Sequence, residues 1–352
     1  MTTVDKPRTS ASIALRVAGV IEETADSCSV VFHVPDETDG AFDYRPGQFL
    51  TLRIPSDRTG SVARCYSLAS SPFTDEHPKV TVKRTADGYG SNWICDNVRI
   101  GDVLEVLPPS GAFTPKNLDD NFLLFAGGSG ITPVISILKS ALTQGNGKVA
   151  LVYANRDEKS VIFADELREL AAAQPKRLLI FHLLQSEQGL PNAERMATLI
   201  APFEGYESFL CGPAPFMDAA REALNLLGVP RSRIHAEAFN SLAGDPFSPI
   251  PVVDLGADDA DDDAATLEVE LDGESHHLTW PRARTLVDIM LARGLDVPYS
   301  CREGECGSCA CRVVEGDVVM DNCRVLDPDD IDSGYILACQ SRPSTDHVKI
   351  EF

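Results

Sequence analysis

The stretch SCREGECGSCACRV, Ser300–Val313, holds four of the chain's ten cysteines. A disulfide staple, a zinc site and an iron–sulfur cluster each gather thiols in this way. Cys301, Cys306 and Cys309 are spaced C-x4-C-x2-C, and Cys339 follows after 29 intervening residues, in ILACQS. This is the plant-type [2Fe–2S] spacing. Small residues in the loop (Gly304, Gly307, Ser308 and Ala310) let backbone amides turn inward toward the sulfurs of a charged cluster. Zinc normally takes paired C-x2-C knuckles, and a second knuckle is missing here. A staple needs an oxidising compartment, whereas residues 1–19 are charged and polar throughout, unlike a signal peptide. The expectation is a cytoplasmic protein with a cluster. Cys311 and Cys323 fall outside the pattern, and Cys28, Cys65 and Cys95 are scattered. Each of these reads as a small buried hydrophobe.

Length and charge bound what surrounds the loop. At 352 residues the chain should form two or three domains. The apolar runs are strand-sized, too short to span a bilayer. Net charge is −22, and residues 254–352 hold 23 Asp/Glu against 8 Lys/Arg. Phosphate backbones would be repelled, which disfavours a nucleic-acid ligand, and none is expected as a partner. A negative C-terminal module can dock on a positive partner surface, with Glu303 and Glu305 in the cysteine loop expected at the exit point for electrons. Acidity that serves solubility alone is the plainer alternative.

DLGADDADDDAA, Asp254–Ala265, has six Asp and no basic residue, with Pro246, Pro249 and Pro251 just upstream. Repelling charges and stiff prolines predict an extended linker. Before it, QFLTLRI (Gln48–Ile54), KVTVKR (Lys79–Arg84) and VLEVL (Val103–Leu107) alternate as strands of a small antiparallel barrel. From Asn121 the pattern becomes strand then helix, repeatedly, which predicts a doubly wound parallel sheet. After the linker, TLEVELDG and ESHHLTW read as a hairpin and TLVDIMLARG as one helix. The expected domains are therefore 1–115 (antiparallel β-barrel), 116–240 (α/β, doubly wound), 241–265 (acidic linker) and 266–352 (the cluster domain).

Two further motifs lie in the α/β part. AGGSGITP, Ala126–Pro133, follows its first strand. Gly127, Gly128 and Gly130 allow a tight turn, Thr132 can cap the next helix, and Pro133 suits its first position. The amides of such a helix start suit a pyrophosphate. CGPAPFM, Cys211–Met217, ends a later strand, where ligands of such sheets bind. In the barrel, RCYS (Arg64–Ser67) offers an Arg for a phosphate, a Tyr for an aromatic ring and a hydroxyl for a ring nitrogen. Taken alone, it reads better as an ordinary edge strand.

Taken in order, RCYS, DGYGSNW (Asp87–Trp93), GGSGITP, CGPAPFM and the cysteine loop resemble the ferredoxin–NAD(P) reductase-type flavoproteins that carry a fused [2Fe–2S] ferredoxin domain. YRPGQFLTLRIPSDRTGSVARCYSLASSPFTD, VTVKRTADGYGSNW and SCREGECGSCAC are most similar to the reductase components of 3-ketosteroid 9α-hydroxylases, and next to those of phenylacetyl-CoA epoxidases. The resemblance implies a β-grasp cluster domain and an NADH-dependent oxidoreductase of steroid catabolism. In it electrons pass from NADH to FAD to the cluster, and then to a separate terminal oxygenase of Rieske type. Arg64, Tyr66 and Ser67 would hold FAD, with Ser67 near the reactive flavin nitrogen. Lys83 would pass beside the flavin, Gly88, Gly90 and Ser91 would cradle its diphosphate, and Phe239 would lie near the ring. Gly127, Gly128, Ser129, Gly130 and Thr132 would take the pyrophosphate of the nicotinamide dinucleotide. Cys211, followed by Gly212 and Pro213, would stand beside the hydride-donating carbon. Cys301, Cys306, Cys309 and Cys339 would hold the cluster. After the second parallel strand, YANRDEKS offers Arg156 to a 2′-phosphate, but Asp157 and Glu158 repel one, which favours NADH over NADPH. A zinc-stapled interaction module without redox chemistry is the competing class, and it would show no visible absorption bands.

Overall fold

Alternating apolar side chains close the strands between Ile13 and Val106 into a barrel. The structure, a computed structural model, describes residues 12–35, 40, 42–242, 244–247, 264–271, 273–295, 297–326 and 328–352. Strands β1 (Ile13–Thr24), β2 (Ser27–His33), β3 (Phe49–Ser56), β4 (Gly60–Ser67), β5 (Lys79–Lys83) and β6 (Val103–Val106) form one antiparallel sheet in the order β4-β3-β6-β1-β2-β5. Leu15, Val17, Val30, Phe32, Leu50 and Leu52 fill its interior. Helix α1 (Tyr89–Asn97) packs across one end with Ile94 inward.

The next part is wholly parallel. Its elements are β7 (Phe122–Gly127), α2 (Ile131–Gln144), β8 (Val149–Asn155), α3 (Ala164–Ala173), β9 (Leu178–Leu184), α4 (Gln185–Gln188), α5 (Ala193–Ile200), β10 (Glu207–Cys211), α6 (Ala214–Leu226) and β11 (Ile234–Glu237). The sheet order is β11-β10-β7-β8-β9, with every pair parallel. Every residue of β7 and β8 is buried, as expected of strands covered on both faces. The order reverses between β7 and β10, and such a switch point is where ligands bind.

The last part is a sheet gripping one helix, the β-grasp. It contains β12 (Ala265–Leu271), β13 (Glu274–Trp280), α7 (Leu286–Ala292), β14 (Ala310–Glu315), β15 (Val318–Met320), α8 (Pro328–Asp332), β16 (Tyr335–Leu337), β17 (Ser341–Pro343) and β18 (His347–Glu351). Its main sheet runs β13-β12-β18-β14-β16, with only β12 and β18 parallel. Leu286, Val287, Ile289 and Met290 of α7 are buried against it. The Asp-rich run at 254–263, expected as linker, lies outside the described residues. Leu242 and Phe247, at the start of that expected linker, are buried. No helix among the described residues is long and apolar enough to cross a membrane.

The barrel and the parallel domain are joined by polar contacts around α2. Lys139 Nζ is 2.9 Å from Asp75 of the barrel and 2.9 Å from Glu166 of α3, and Lys79 Nζ of β5 is 3.3 Å from the same Glu166. Ser136 donates to the Ser70 carbonyl at 2.6 Å, and the Ser71 and Ser140 hydroxyls meet at 2.8 Å. The Lys139 side chain is only 6% exposed, so its charge depends on those two carboxylates. We predict that Lys139→Ala lowers stability by about 2–3 kcal/mol, below the cost of breaking a fully buried pair because both carboxylates are partly solvated. Urea unfolding checks this, and Asp75→Asn should cost less than Lys139→Ala because Glu166 still pairs with the lysine.

Candidate functional site

Strand β4 sends alternate side chains to opposite faces. On one face, Arg64 and Tyr66 lie against the start of α1. A Cβ added at Gly90 would stand 2.9 Å from Arg64 Cγ and 3.5 Å from Tyr66 Oη, so only glycine lets this turn approach the strand. Ser91 Oγ accepts from the Thr85 amide at 3.1 Å, and a Cβ on Gly88 would meet Thr85 at 2.9 Å. The result is a tight backbone turn with a guanidinium beside it, which suits a diphosphate. Arg64 itself donates to the carbonyls of Ala63, at 2.7 Å, and Leu242, at 3.1 Å. Phe239, two residues beyond β11, leaves its ring 51% exposed, available to a flat ligand.

Gly128 has φ +53°, a left-handed turn that favours glycine, within the 3-10 turn Gly128–Gly130. A Cβ at Gly130 would lie 2.1 Å from the Cys211 carbonyl oxygen, and one at Gly127 would lie 2.8 Å from Pro213. The two motifs are thus in backbone contact at the switch point. Gly130 precedes α2, so Thr132 is its second residue and Pro133 its third. The expected cap is corrected accordingly: the 3-10 turn fills the capping position, and the Thr132 hydroxyl donates to the Ser129 carbonyl at 3.0 Å. Lys83 Nζ is 3.7 Å from Asp26, and the same carboxylate takes Arg156 at 2.9 Å, with the Arg156 side chain 66% exposed. Arg156 therefore reaches back to the barrel's β1–β2 turn. Asp157 caps the following turn by accepting from the Ser160 amide at 3.0 Å.

The two halves converge on a carboxyl that no sequence motif marks. Glu237 on β11 stands in register with Cys211 on β10, and the Ser67 hydroxyl of the barrel donates to it. Its Oε2 is shut off from solvent without a partner. Burial pushes the Glu237 carboxyl up to about 8, against the Ser67 hydrogen bond that lowers it. Burial, with Glu237 alongside, likewise raises the Cys211 thiol, which is 0% exposed. Ser67, Cys211 and Glu237 thus meet at one point between the two sheets, around a hydrogen-bonding atom that lacks a partner.

The cysteine loop forms a second centre. Cys301 touches Cys306 and Cys339, and Cys339 touches Cys309, through their thiols. The Glu303 amide points at Cys301 Sγ (3.4 Å), the Cys339 amide at Cys309 Sγ (3.5 Å) and Gln340 Nε2 at Cys339 Sγ (3.6 Å). Arg302, Gly304 and Gly307 take positive φ, curling the backbone around the sulfurs. Four gathered thiols with inward amides fit a [2Fe–2S] cluster. This loop is turned toward the barrel. Cys301 and Cys306 pack with Ala63 and Cys65 of β4, with Leu107, and with Leu242 and Phe247. Ser300 Oγ meets Thr51 Oγ1 of β3 at 3.1 Å. Cys65, one of the scattered thiols of the sequence, lies on this seam, where burial pushes it up to about 12.

That orientation corrects one expectation. Glu303 and Glu305 do not stand at an outward exit. Glu303 accepts from the Gly244 amide, and the Glu305 side chain is 9% exposed and paired with Arg324 at 3.2 Å. Glu303 ties the loop to the segment at residue 244, and Glu305 ties it to Arg324 within its own domain.

Three family models cover most of the chain: an oxidoreductase FAD-binding domain at residues 14–114, an oxidoreductase NAD-binding domain at 124–222 and a 2Fe-2S iron-sulfur cluster binding domain at 269–344. The 3-ketosteroid-9-alpha-monooxygenase, ferredoxin reductase component, of Rhodococcus rhodochrous is 70% identical over 100% of both chains. A component of the 1,2-phenylacetyl-CoA epoxidase of Escherichia coli strain K12 is 33% identical, over 96% of this chain and 97% of its own. Among solved structures, phthalate dioxygenase reductase superposes with TM-score 0.59 at 24% identity, over 98% of this chain and 100% of its own, which shows a shared fold.

Glu237 generates a test with a defined sign. The folded state keeps its proton up to about pH 8 while an unfolded Glu loses it near 4.5, so the folded state binds more protons in between. Its contribution to stability is therefore present at low pH and lost as pH rises through that window. We predict that Glu237→Gln, which cannot ionise, melts at a temperature that falls less than wild type between pH 5 and 8 (roughly the window between the two values). Parallel melting curves for the two proteins would refute the raised acid.

Proposed function

This chain belongs to the family of 3-ketosteroid-9-alpha-monooxygenase ferredoxin reductase components, and we propose that it takes hydride from NADH and delivers electrons singly to the Rieske-type terminal oxygenase of a 3-ketosteroid 9α-hydroxylase, in the cytoplasm. It is an oxidoreductase with FAD-binding, NAD-binding and 2Fe-2S domains. The observation that carries the reading is that one strand, β4, has the diphosphate-type turn on one face and the four-thiol loop on the other. FAD held there would supply two-electron hydride acceptance and one-electron release, which is what a single-electron cluster requires.

The chain's own residues bind and orient. Arg64, with the turn at Gly88, Gly90 and Ser91, holds the flavin's diphosphate. Tyr66 and Phe239 would lie near its ring. Lys83 closes the same edge. The amides of Gly127–Gly130, with Ser129 and Thr132, would take the pyrophosphate of NADH, with Cys211 in close backbone approach to Gly130. Cys211, Gly212 and Pro213 wall that end, and the dry setting of Cys211 keeps water from the transferred hydride. Glu237, held neutral near pH 7 by burial, can donate a hydrogen bond there, while Ser67 fixes its orientation. Asp157 and Glu158 set negative charge after β8, which supports NADH over NADPH, while Arg156 beside them is paired with Asp26 of the barrel. Cys301, Cys306, Cys309 and Cys339 hold the cluster. Residues 1–115, 116–240, 241–265 and 266–352 serve as flavin domain, nucleotide domain, linker and ferredoxin domain. The 70% identity to a steroid-monooxygenase reductase, against 33% to the epoxidase component, supports the steroid oxygenase as partner.

Cys306→Ser is predicted to abolish the cluster's visible absorption and the reduction of the oxygenase, while NADH oxidation with a small dye stays near the wild-type rate. Loss of dye reduction together with the cluster would show that the flavin site does not work independently of the ferredoxin domain.

A further inference from the structure

Two cysteines outside both centres meet at the edge of the barrel core. Cys28 of β2 and Cys95 of α1 are 67 residues apart in sequence, yet the Cys28 thiol donates to Cys95 Sγ at 3.3 Å. The register explains the meeting. Cys28 stands opposite Val82 of β5, and Cys95 Sγ also reaches the Val82 carbonyl at 3.8 Å. Helix α1 thus lies over the β2–β5 pair with Cys95 aimed down at Cys28. Cys28 is buried at 9% exposure and Cys95 is half-buried, so Cys95 is the more accessible residue of the two.

The surroundings make the two thiols unequal. Arg84, beyond the end of β5, pairs with Asp96 at 2.7 Å and reaches Asn92 at 3.4 Å, which sets its guanidinium along α1. The hydrogen bond from Cys28, together with the Arg84 charge, holds the Cys95 thiol below the ordinary thiol range, while that same bond and burial hold Cys28 above it. A low-lying, half-exposed thiol backed by a second thiol is the arrangement of a redox-active pair.

We propose that Cys28 and Cys95 are a reversible dithiol–disulfide pair, an oxidative modification site in the FAD-binding barrel whose oxidant is hydrogen peroxide. The Cys95 thiolate attacks one peroxide oxygen, the O–O bond breaks, and the departing hydroxide takes a proton to leave as water. Cys95 is then a sulfenic acid. The Cys28 sulfur, losing its proton, attacks the Cys95 sulfur. The S–S bond forms, the S–O bond breaks, and a second water leaves. Two thiols lose two electrons in all, and one peroxide becomes two waters. An external dithiol reverses the bond by exchange. The sulfurs need approach by only about 1.2 Å to reach bonding distance, so little of the barrel has to move.

The site has a consequence for the flavin, resting on the proposed role of the turn at Gly88, Gly90 and Ser91. That turn is the start of α1. A bond from Cys95 to β2 ties down the helix that carries it, closing a long loop of chain, and so slows FAD release. The test uses full-length holoprotein treated with hydrogen peroxide, alkylated and digested with trypsin. The tryptic peptides bearing Cys28 and Cys95 should appear joined, lighter by two hydrogens than their sum, and separate on adding dithiothreitol. FAD should leave the oxidised protein several-fold more slowly than the reduced protein. Cys95→Ser should lose both the joined peptide and the difference in FAD release, and Cys28→Ser should let Cys95 proceed to sulfinic acid. Peroxide-treated wild type with Cys95 unreacted, or as sulfinic acid without the joined peptide, would overturn the pair, and this reading needs no variant to fold. A joined peptide with unchanged FAD release would overturn the clasp while leaving the pair.

Discussion

Strand β4 alternates its side chains between two environments, and both centres are built from that alternation. Arg64 and Tyr66 meet the glycine turn at the head of α1. Ala63 and Cys65 meet Cys301 and Cys306 across a small apolar seam with Leu107, Leu242 and Phe247. A strand is thin, so two ligands on its opposite faces are necessarily near each other. The Thr51–Ser300 contact at 3.1 Å and the Glu303–Gly244 bond pin the seam at its polar edge.

The third partner is brought in by a different constraint. Parallel strands β7 and β10 must end side by side where the sheet order reverses, so the glycine turn after one and Cys211 after the other come into backbone contact. The ion pairs of Lys139 with Asp75 and Glu166 then fix that sheet against the barrel. Ser67 from one domain and Glu237 from the other can share a hydrogen bond only because this junction is held. Burial raises the carboxyl there, and its free Oε2 faces inward.

The sequence discloses what is local. The C-x4-C-x2-C spacing, the Gly-rich turn after β7 and the switch from period-2 to strand–helix patterning each lie within a short window, so fold class and the gathering of the four thiols are legible. What depends on register is not. Glu237 is one acidic residue in a four-residue strand, and its meaning comes from pairing with Cys211 and from a bond to Ser67 far upstream. Cys28 and Cys95 look scattered because 67 residues separate them. Thr132 resembles a cap in the sequence, but a 3-10 turn of glycines takes that position. Glu303 and Glu305 suggest an exit because charge pattern alone carries no direction. In the fold Glu305 is paired with Arg324 and Glu303 accepts from the 244 amide.

The central claim is that the cysteine loop receives electrons across β4. It is tested most directly by Cys65→Phe, which adds bulk to the seam and leaves Arg64, Tyr66 and Ser67 in place. Rapid mixing with NADH, followed at the separate visible bands of flavin and cluster, reads the two centres independently. The account predicts that the flavin band bleaches at the wild-type rate while the cluster band slows by at least about tenfold, because small displacements between reacting groups are costly. Wild-type rates at both bands would contradict it.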